Sequence, residues 1–136
     1  MSGCGGGSSP ESTIVGDWTI LTISTQGVSV TCPGEGAVDS NLSLGCVEES
    51  ISFGADESVI RVLTREQTGT SRREGTWSVE GDLLTLVFDR GGGENDTLRP
   101  IEPPEVIYYK WAIEEGQLLL WIEYPSGPVI QTYERQ

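Results

Sequence analysis

Apolar and polar residues alternate along most of the chain with a period of two, which is typical of β-strands. The segments 51–54, 74–80 and 107–113 each place an apolar residue at every second position, as at Trp77 and Val79. Because successive side chains of a strand point to opposite faces, each segment is predicted to form a strand with one buried face. The segments show no helical periodicity.

Short groups of turn-forming residues separate the predicted strands. These groups lie at 54–57, 80–82, 115–117 and 125–128. Connections this short predict that neighbouring strands pair antiparallel, in up-and-down order. Two longer interruptions, at 31–48 and 89–105, are rich in glycine and proline and are predicted to be long loops.

One hairpin pattern occurs twice. The segment 77–84 reads WSVEGDLL, and the segment 111–119 reads WAIEEGQLL, with one residue inserted at the turn. Each copy has a tryptophan, a β-branched residue, an acidic turn with glycine and a pair of leucines. This pattern predicts a hairpin in which an aromatic ring on one strand packs across from leucine on the other.

Sequential pairing of about eight or nine strands leaves two exposed sheet edges unless the sheet closes on itself. A barrel of about eight strands removes both edges, and its interior is either filled by side chains or holds one small ligand. We therefore expect an all-β fold, an antiparallel up-and-down barrel of about eight strands.

The order of several short motifs resembles the short lipocalin-like domains of bacterial lipoproteins. Gly16-Asp17-Trp18 resembles their Gly-x-Trp first strand, and similar motifs follow at 51–53, at 75–79 and on a last strand with Tyr133 and Arg135. The resemblance implies a lipocalin-like barrel over 13–136. It also implies that Arg135 stacks on Trp18 to close one end of the barrel, a cation–π contact.

Aromatic residues are the candidates for lining a ligand site in such a barrel. The candidate lining is Trp18, Phe53, Trp77, Tyr109, Trp111 and Trp121. The first hypothesis is that they hold a small apolar molecule; equally, they can simply fill the core. The alternative function is a protein-interaction or inhibitor lipoprotein with a filled core, which contacts an envelope protein through its long loops.

The beginning of the chain suggests a lipid anchor. Ser2-Gly3-Cys4 matches the last three positions of a bacterial lipoprotein signal, in which the cysteine carries the lipid, and a Gly/Ser tract follows. The leucine and the apolar segment that precede these positions in that motif are not in the sequence. We expect residues 1–12 to be a flexible tether, and the domain to be attached to the membrane only through Cys4, in the cell envelope.

Export to the envelope bears on the two other cysteines, Cys32 and Cys46. With Cys4 used for lipid, these two are left to form a disulfide that closes a short loop. The alternative is two buried or free thiols. A metal site needs more ligands than two cysteines at this spacing provide.

Charge and composition exclude several functions. The 136 residues include 8 basic and 21 acidic side chains, for a net charge of −13, so nucleic acid is a poor partner. The charge suits simple solubility, a salt-loving host or a cationic partner. Histidine is absent, which removes the commonest general base and most metal ligation. We expect a monomeric protein that is not an enzyme and needs no cofactor or metal.

Overall fold

Eleven β-strands account for most of the residues that the computed structural model describes, which are 13–39, 42–65, 69–93, 97–125 and 127–136. The strands are β1 (Gly16–Thr25), β2 (Val28–Thr31), β3 (Gly34–Asp39), β4 (Leu42–Cys46), β5 (Glu48–Phe53), β6 (Ser58–Arg65), β7 (Gly69–Glu80), β8 (Leu83–Gly93), β9 (Arg99–Glu114), β10 (Gln117–Tyr124) and β11 (Gly127–Arg135). Within these ranges, no helix is long and apolar enough to cross a membrane.

Eight of these strands form a closed barrel. Strands β5 to β11 pair antiparallel in sequence order, and β1 pairs with β5 on one side and with β11 on the other. In the register of β1, Trp18 lies between Ile51 and Arg135. The prediction of an all-β, antiparallel up-and-down barrel is confirmed, and the closure leaves β1, β5 and β11 with partners on both sides.

Short turns connect the barrel strands at the places where the sequence predicted them. Between β9 and β10 the turn is Glu115–Gly116, and both residues have positive φ, 53° and 78°. Such a pair matches the right-handed twist of a two-residue hairpin, and glycine at the second position avoids the steric cost of that conformation.

The prediction of two long loops was wrong, because most of each segment is extended and paired with a neighbouring strand. Segment 31–48 contains β3 and β4, which form a separate two-stranded ribbon with Gly34 opposite Cys46. Segment 89–105 continues β8 as far as Gly93 and begins β9 at Arg99. Pro103 and Pro104 of β9 are tolerated because the register shift between Phe88 and Arg90 leaves residues 101–104 without partners in the β8–β9 ladder.

The core fills the barrel interior with side chains from alternate positions of each strand. The buried cluster consists of Ile14, Trp18, Ile20, Ile51, Phe53, Val59, Trp77, Leu84, Leu86, Phe88, Tyr109, Leu118, Leu120 and Tyr133. We call the end of the barrel that holds the beginning of β1 and the end of β11 the closed end, and the opposite one the open end.

Candidate functional site

The closed end is sealed by Arg135 and Trp18. The guanidinium carbon of Arg135 lies 4.2 Å from the centre of the Trp18 ring, the contact that the resemblance implied. Arg135 also donates hydrogen bonds to the carbonyl oxygens of Thr13 (2.8 Å) and Val15 (2.9 Å), and the Trp18 indole donates to that of Ile14 (2.9 Å). These bonds fix the segment before β1 across this end of the barrel.

Phe53 and Trp77 fill the barrel next to this seal. Their rings make a T-shaped contact with centroids 5.4 Å apart, and both side chains are almost completely buried. The Trp77 indole donates a hydrogen bond to the carbonyl oxygen of Gly54 in the turn between β5 and β6 (3.0 Å). Trp18, Phe53 and Trp77 therefore belong to the packed core of the barrel.

Trp111 plays the same structural part as Trp77 in the second copy of the repeat. Its indole donates to the carbonyl oxygen of Gly81, again in the turn of the preceding hairpin (3.0 Å). Its backbone N–H donates to the carbonyl oxygen of Asp82, as the backbone N–H of Trp77 donates to the carbonyl oxygen of Glu57. The repeat in the sequence thus corresponds to a repeated hairpin-to-hairpin link at the closed end.

Trp121 was predicted to face the interior, and that prediction was wrong. Its neighbours Leu118 and Leu120 on β10 are completely buried inside the barrel, so Trp121 projects from the opposite, outer face. There it lies in register with Lys110 and Ile130. Because every residue from 118 to 122 is apolar, the sequence alone does not show which of them point into the barrel.

A polar layer crosses the middle of the barrel. The Arg61 Nε donates to a carboxylate oxygen of Glu49 at 2.9 Å, and the Tyr133 hydroxyl donates to the same oxygen at 2.5 Å. A second guanidinium nitrogen of Arg61 donates to the hydroxyl oxygen of Tyr109 at 3.2 Å. All four side chains are buried, and among the described side chains no buried polar atom lacks a partner.

Burial and charge shift two pKa values in this layer. Burial raises the pKa of Tyr133 well above its ordinary value of 10.0, and the neighbouring Glu49 carboxylate raises it further. Burial lowers the pKa of Arg61, but the interactions with Glu49, Tyr133 and Tyr109 together outweigh burial and leave the pKa raised. The layer therefore holds a charged Arg61–Glu49 pair and a neutral Tyr133.

A cavity of about 280 Å³ lies on the other side of the polar layer, toward the open end. Its wall is formed by Ile23, Tyr109, Ile122, Tyr124, Val129 and Gln131. These residues come from β1, β9, β10 and β11, and only Tyr109 belongs to the aromatic set that the sequence suggested. Tyr109 is thus the point at which the polar layer meets the cavity.

A second cavity, of about 290 Å³, lies beside the extended ends of β7, β8 and β9. Its lining includes Arg72, Arg73 and Arg99. Two of these positive charges are balanced at short range, because Arg72 pairs with Glu74 and Arg73 with Glu105. The side chains are about half exposed, so solvent screens what charge remains.

Cys32 and Cys46 form a disulfide, the pairing expected from the sequence. Their Cα atoms are 5.5 Å apart, and the bond fastens the β3–β4 ribbon to the end of β2. Cys4 and the predicted tether at 1–12 lie outside the described residues. In the described ranges, no three His, Cys, Asp or Glu side chains are grouped so that they could hold a metal ion.

The polar layer was not predicted, although the sequence carries a signal for it. Glu49 is in phase with the buried Ile51 and Phe53 on β5, and Arg61 is in phase with the buried Val59 on β6. Opposite charges at inward positions of neighbouring strands predict an internal ion pair. The cavity wall, by contrast, consists of three aliphatic residues, two tyrosines and one glutamine, a combination that the sequence does not mark as a site.

Comparison with known proteins supports the fold and does not identify a ligand or a function. No protein-family model matches the chain, and no curated protein is similar to it in sequence. Its structure is similar to that of a lipocalin-like protein from Bacteroides uniformis, with a TM-score of 0.57 and 14% sequence identity over 91% of this chain and 99% of that one. The chain therefore has the fold of a lipocalin-like β-barrel.

Proposed function

We propose that this domain is a binding module that holds one small, mainly apolar molecule in the open-end cavity. The observation that carries the proposal is the cavity of about 280 Å³ whose wall includes Ile23, Ile122 and Val129. Its volume is close to the lower limit of ~300 Å³ for typical ligand pockets. An apolar wall with a few polar groups is also typical of small-molecule sites.

The ligand site is confined to the open half of the barrel because the closed half is filled. Trp18, Phe53 and Trp77 are at most 4% exposed, and the indole N–H groups of both tryptophans are hydrogen-bonded. Displacing such side chains would cost several kcal/mol, since truncating a buried Phe or Trp typically costs ~3–5 kcal/mol. A small ligand avoids this cost by entering a cavity that already exists.

Native mass spectrometry of the protein purified from its own host tests this proposal. We expect the wild-type protein to retain a bound small molecule, and Val129→Trp, which fills the cavity, to lose it. Thr132→Val, on the outer face of the same strand, is the matched control and should retain it. A clean apo mass for the wild type, or the same adduct on Val129→Trp, would contradict the proposal.

A second candidate function is recognition of an envelope protein through the β3–β4 ribbon. The observation that favours it is the Cys32–Cys46 disulfide, which holds an otherwise separate two-stranded ribbon beside the barrel. Photo-crosslinking in the host from position 35, an exposed residue of the ribbon, should then yield one defined adduct. A control crosslinker at position 78, which is exposed at the closed end, should yield none.

We further propose that Cys4 carries a lipid that anchors the domain to the membrane of the cell envelope. The support is the Ser2-Gly3-Cys4 motif and the Gly/Ser tract after it. Host cells expressing the protein from its own gene can be fed an alkyne-tagged fatty acid. We expect label on the wild-type protein and none on Cys4→Ser; equal labelling of both proteins would exclude this anchor.

A further inference from the structure

The hydroxyl group of Tyr109 is the polar group of the cavity wall that is connected to the buried charges. Its oxygen accepts a hydrogen bond from Arg61 at 3.2 Å, while its ring lies within 5.9 Å of the Arg61 guanidinium. Tyr109 is itself only 5% exposed, and its side chain lies against the cavity. Tyr109 therefore contacts both the buried Arg61 and the cavity.

The direction of the Arg61–Tyr109 hydrogen bond leaves a donor available for a ligand. An arginine side chain only donates hydrogen bonds, so the Tyr109 oxygen must be the acceptor in this pair. The Tyr109 hydroxyl proton is then free to donate, and among the described residues no acceptor takes it. The polarising Arg61 cation makes this O–H a better donor than a tyrosine hydroxyl surrounded by apolar groups.

The charges around this donor disfavour an anionic ligand. The positive charge of Arg61 is already paired with Glu49 at 2.9 Å, and no Lys or Arg side chain belongs to the described cavity wall. The chain as a whole carries a net charge of −13. A carboxylate would therefore lose its hydration without meeting an unpaired cation, whereas a neutral carbonyl group needs only the hydrogen bond.

We infer that the ligand of this cavity is a small neutral molecule with an apolar body and a carbonyl oxygen that accepts a hydrogen bond from Tyr109. The inference rests on the proposed function and adds the chemical class of the ligand. Gln131, on the same wall, provides an amide that can contact a second polar group.

Three probes of nearly equal size test the inference. Acetophenone carries a neutral carbonyl, cumene has no acceptor and benzoate is an anion. Dissociation constants are measured by NMR titration of the wild-type protein, of Tyr109→Phe and of Tyr108→Phe. Tyr108 is 60% exposed on the outer face of the same strand, which makes it the matched control.

We expect Tyr109→Phe to weaken the binding of acetophenone relative to that of cumene by about tenfold, which is the effect of one hydrogen bond. Tyr108→Phe should leave the ratio of the two dissociation constants unchanged. Benzoate should bind the wild type more weakly than acetophenone does. The infrared carbonyl stretch of bound acetophenone should lie at lower frequency in the wild type than in Tyr109→Phe. This readout reports the hydrogen bond itself and does not depend on protein stability.

The possible failures are distinguishable. An unchanged acetophenone-to-cumene ratio and an unchanged carbonyl stretch in Tyr109→Phe would overturn the inference while the binding function stands. Tighter binding of benzoate than of acetophenone would likewise overturn the assignment of a neutral ligand. Absence of cavity binding for all three probes would overturn both the inference and the proposed function.

Discussion

Glu49 and Arg61 face the interior of the barrel and would each be costly to bury alone. Their side chains satisfy one another, and Tyr133 supplies a further hydrogen bond to the Glu49 carboxylate. Removing one partner of such a pair typically costs ~3–5 kcal/mol, because it leaves a buried charge without compensation. The pair links β5 to β6, and its hydrogen bonds with Tyr133 and Tyr109 connect these strands to β11 and β9.

The raised pKa of Tyr133 predicts a specific alkaline loss of stability. In the unfolded chain a tyrosine loses its proton at a pH of about 10, whereas folded Tyr133 keeps it to higher pH. Above pH ~10 the unfolded state thus binds fewer protons than the native state, and the free energy of unfolding falls as pH rises. One such proton contributes a slope of about 1.4 kcal/mol per pH unit.

Urea denaturation between pH 9 and 11 measures this slope, with ~10 as the pH at which it should set in. Tyr133→Phe is expected to flatten the decline relative to the wild type, even if its stability at neutral pH is lower. Tyr108→Phe, which removes an exposed phenol, should keep the wild-type slope. Parallel curves for wild type and Tyr133→Phe would contradict the assignment of a neutral Tyr133.

Gly75 on β7 is required by a close approach of two backbones. A Cβ atom at this position would lie 1.7 Å from the carbonyl oxygen of Val87, which belongs to the backbone of β8 and cannot rotate away. Gly75→Ala should lower the free energy of unfolding by about 3 kcal/mol, at the upper end of the range for overpacked sites.

The control for this substitution is Gly45→Ala on β4. There the nearest atom to an added Cβ is the flexible Glu35 side chain at 3.3 Å, so we expect a change within ~0.5 kcal/mol. Equal effects of the two substitutions on urea or thermal unfolding would show that the contact with Val87 is not what requires glycine at position 75.

At the level of elements, the hairpins were predictable because local chemistry determines them. Alternation defined the faces of β5, β7 and β9, and turn residues such as Glu115 and Gly116 marked the connections. The extensions of β8 and β9 were not predictable, since glycine and proline there suggested a loop. Pairing between neighbouring strands overrode that local preference.

The disulfide is expected to stabilise the β3–β4 ribbon and with it the whole domain. Cys32 and Cys46 are 14 residues apart, and closing a loop of this size contributes about 3 kcal/mol in the chain-entropy model. In a Cys4→Ser background, Cys32→Ser/Cys46→Ser should lose stability of that order in urea denaturation. A loss below ~0.5 kcal/mol would mean that the ribbon folds independently of the barrel.

For the whole molecule, closure of the barrel and the Arg135–Trp18 seal were predictable, but the position of the open-end cavity was not. The sequence identifies inward and outward positions, yet among the inward apolar and aromatic residues it does not distinguish those that fill the core from those that line a cavity. Phe53 and Tyr109 illustrate this, since one lies in the packed half and the other borders the cavity. Which of them meets empty space depends on the side chains of strands distant in sequence.

The most direct test of this account is a ¹H–¹⁵N NMR titration with acetophenone that monitors the four tryptophan indole signals together with the Gln131 amides. If the ligand site is the open-end cavity, the Gln131 and Ile23 signals should move, while the indole signals of Trp18, Trp77 and Trp111 stay in place. Movement of the Trp77 or Trp18 indole signal with Gln131 unchanged would contradict the account, because it would place the ligand among the aromatic residues of the closed half.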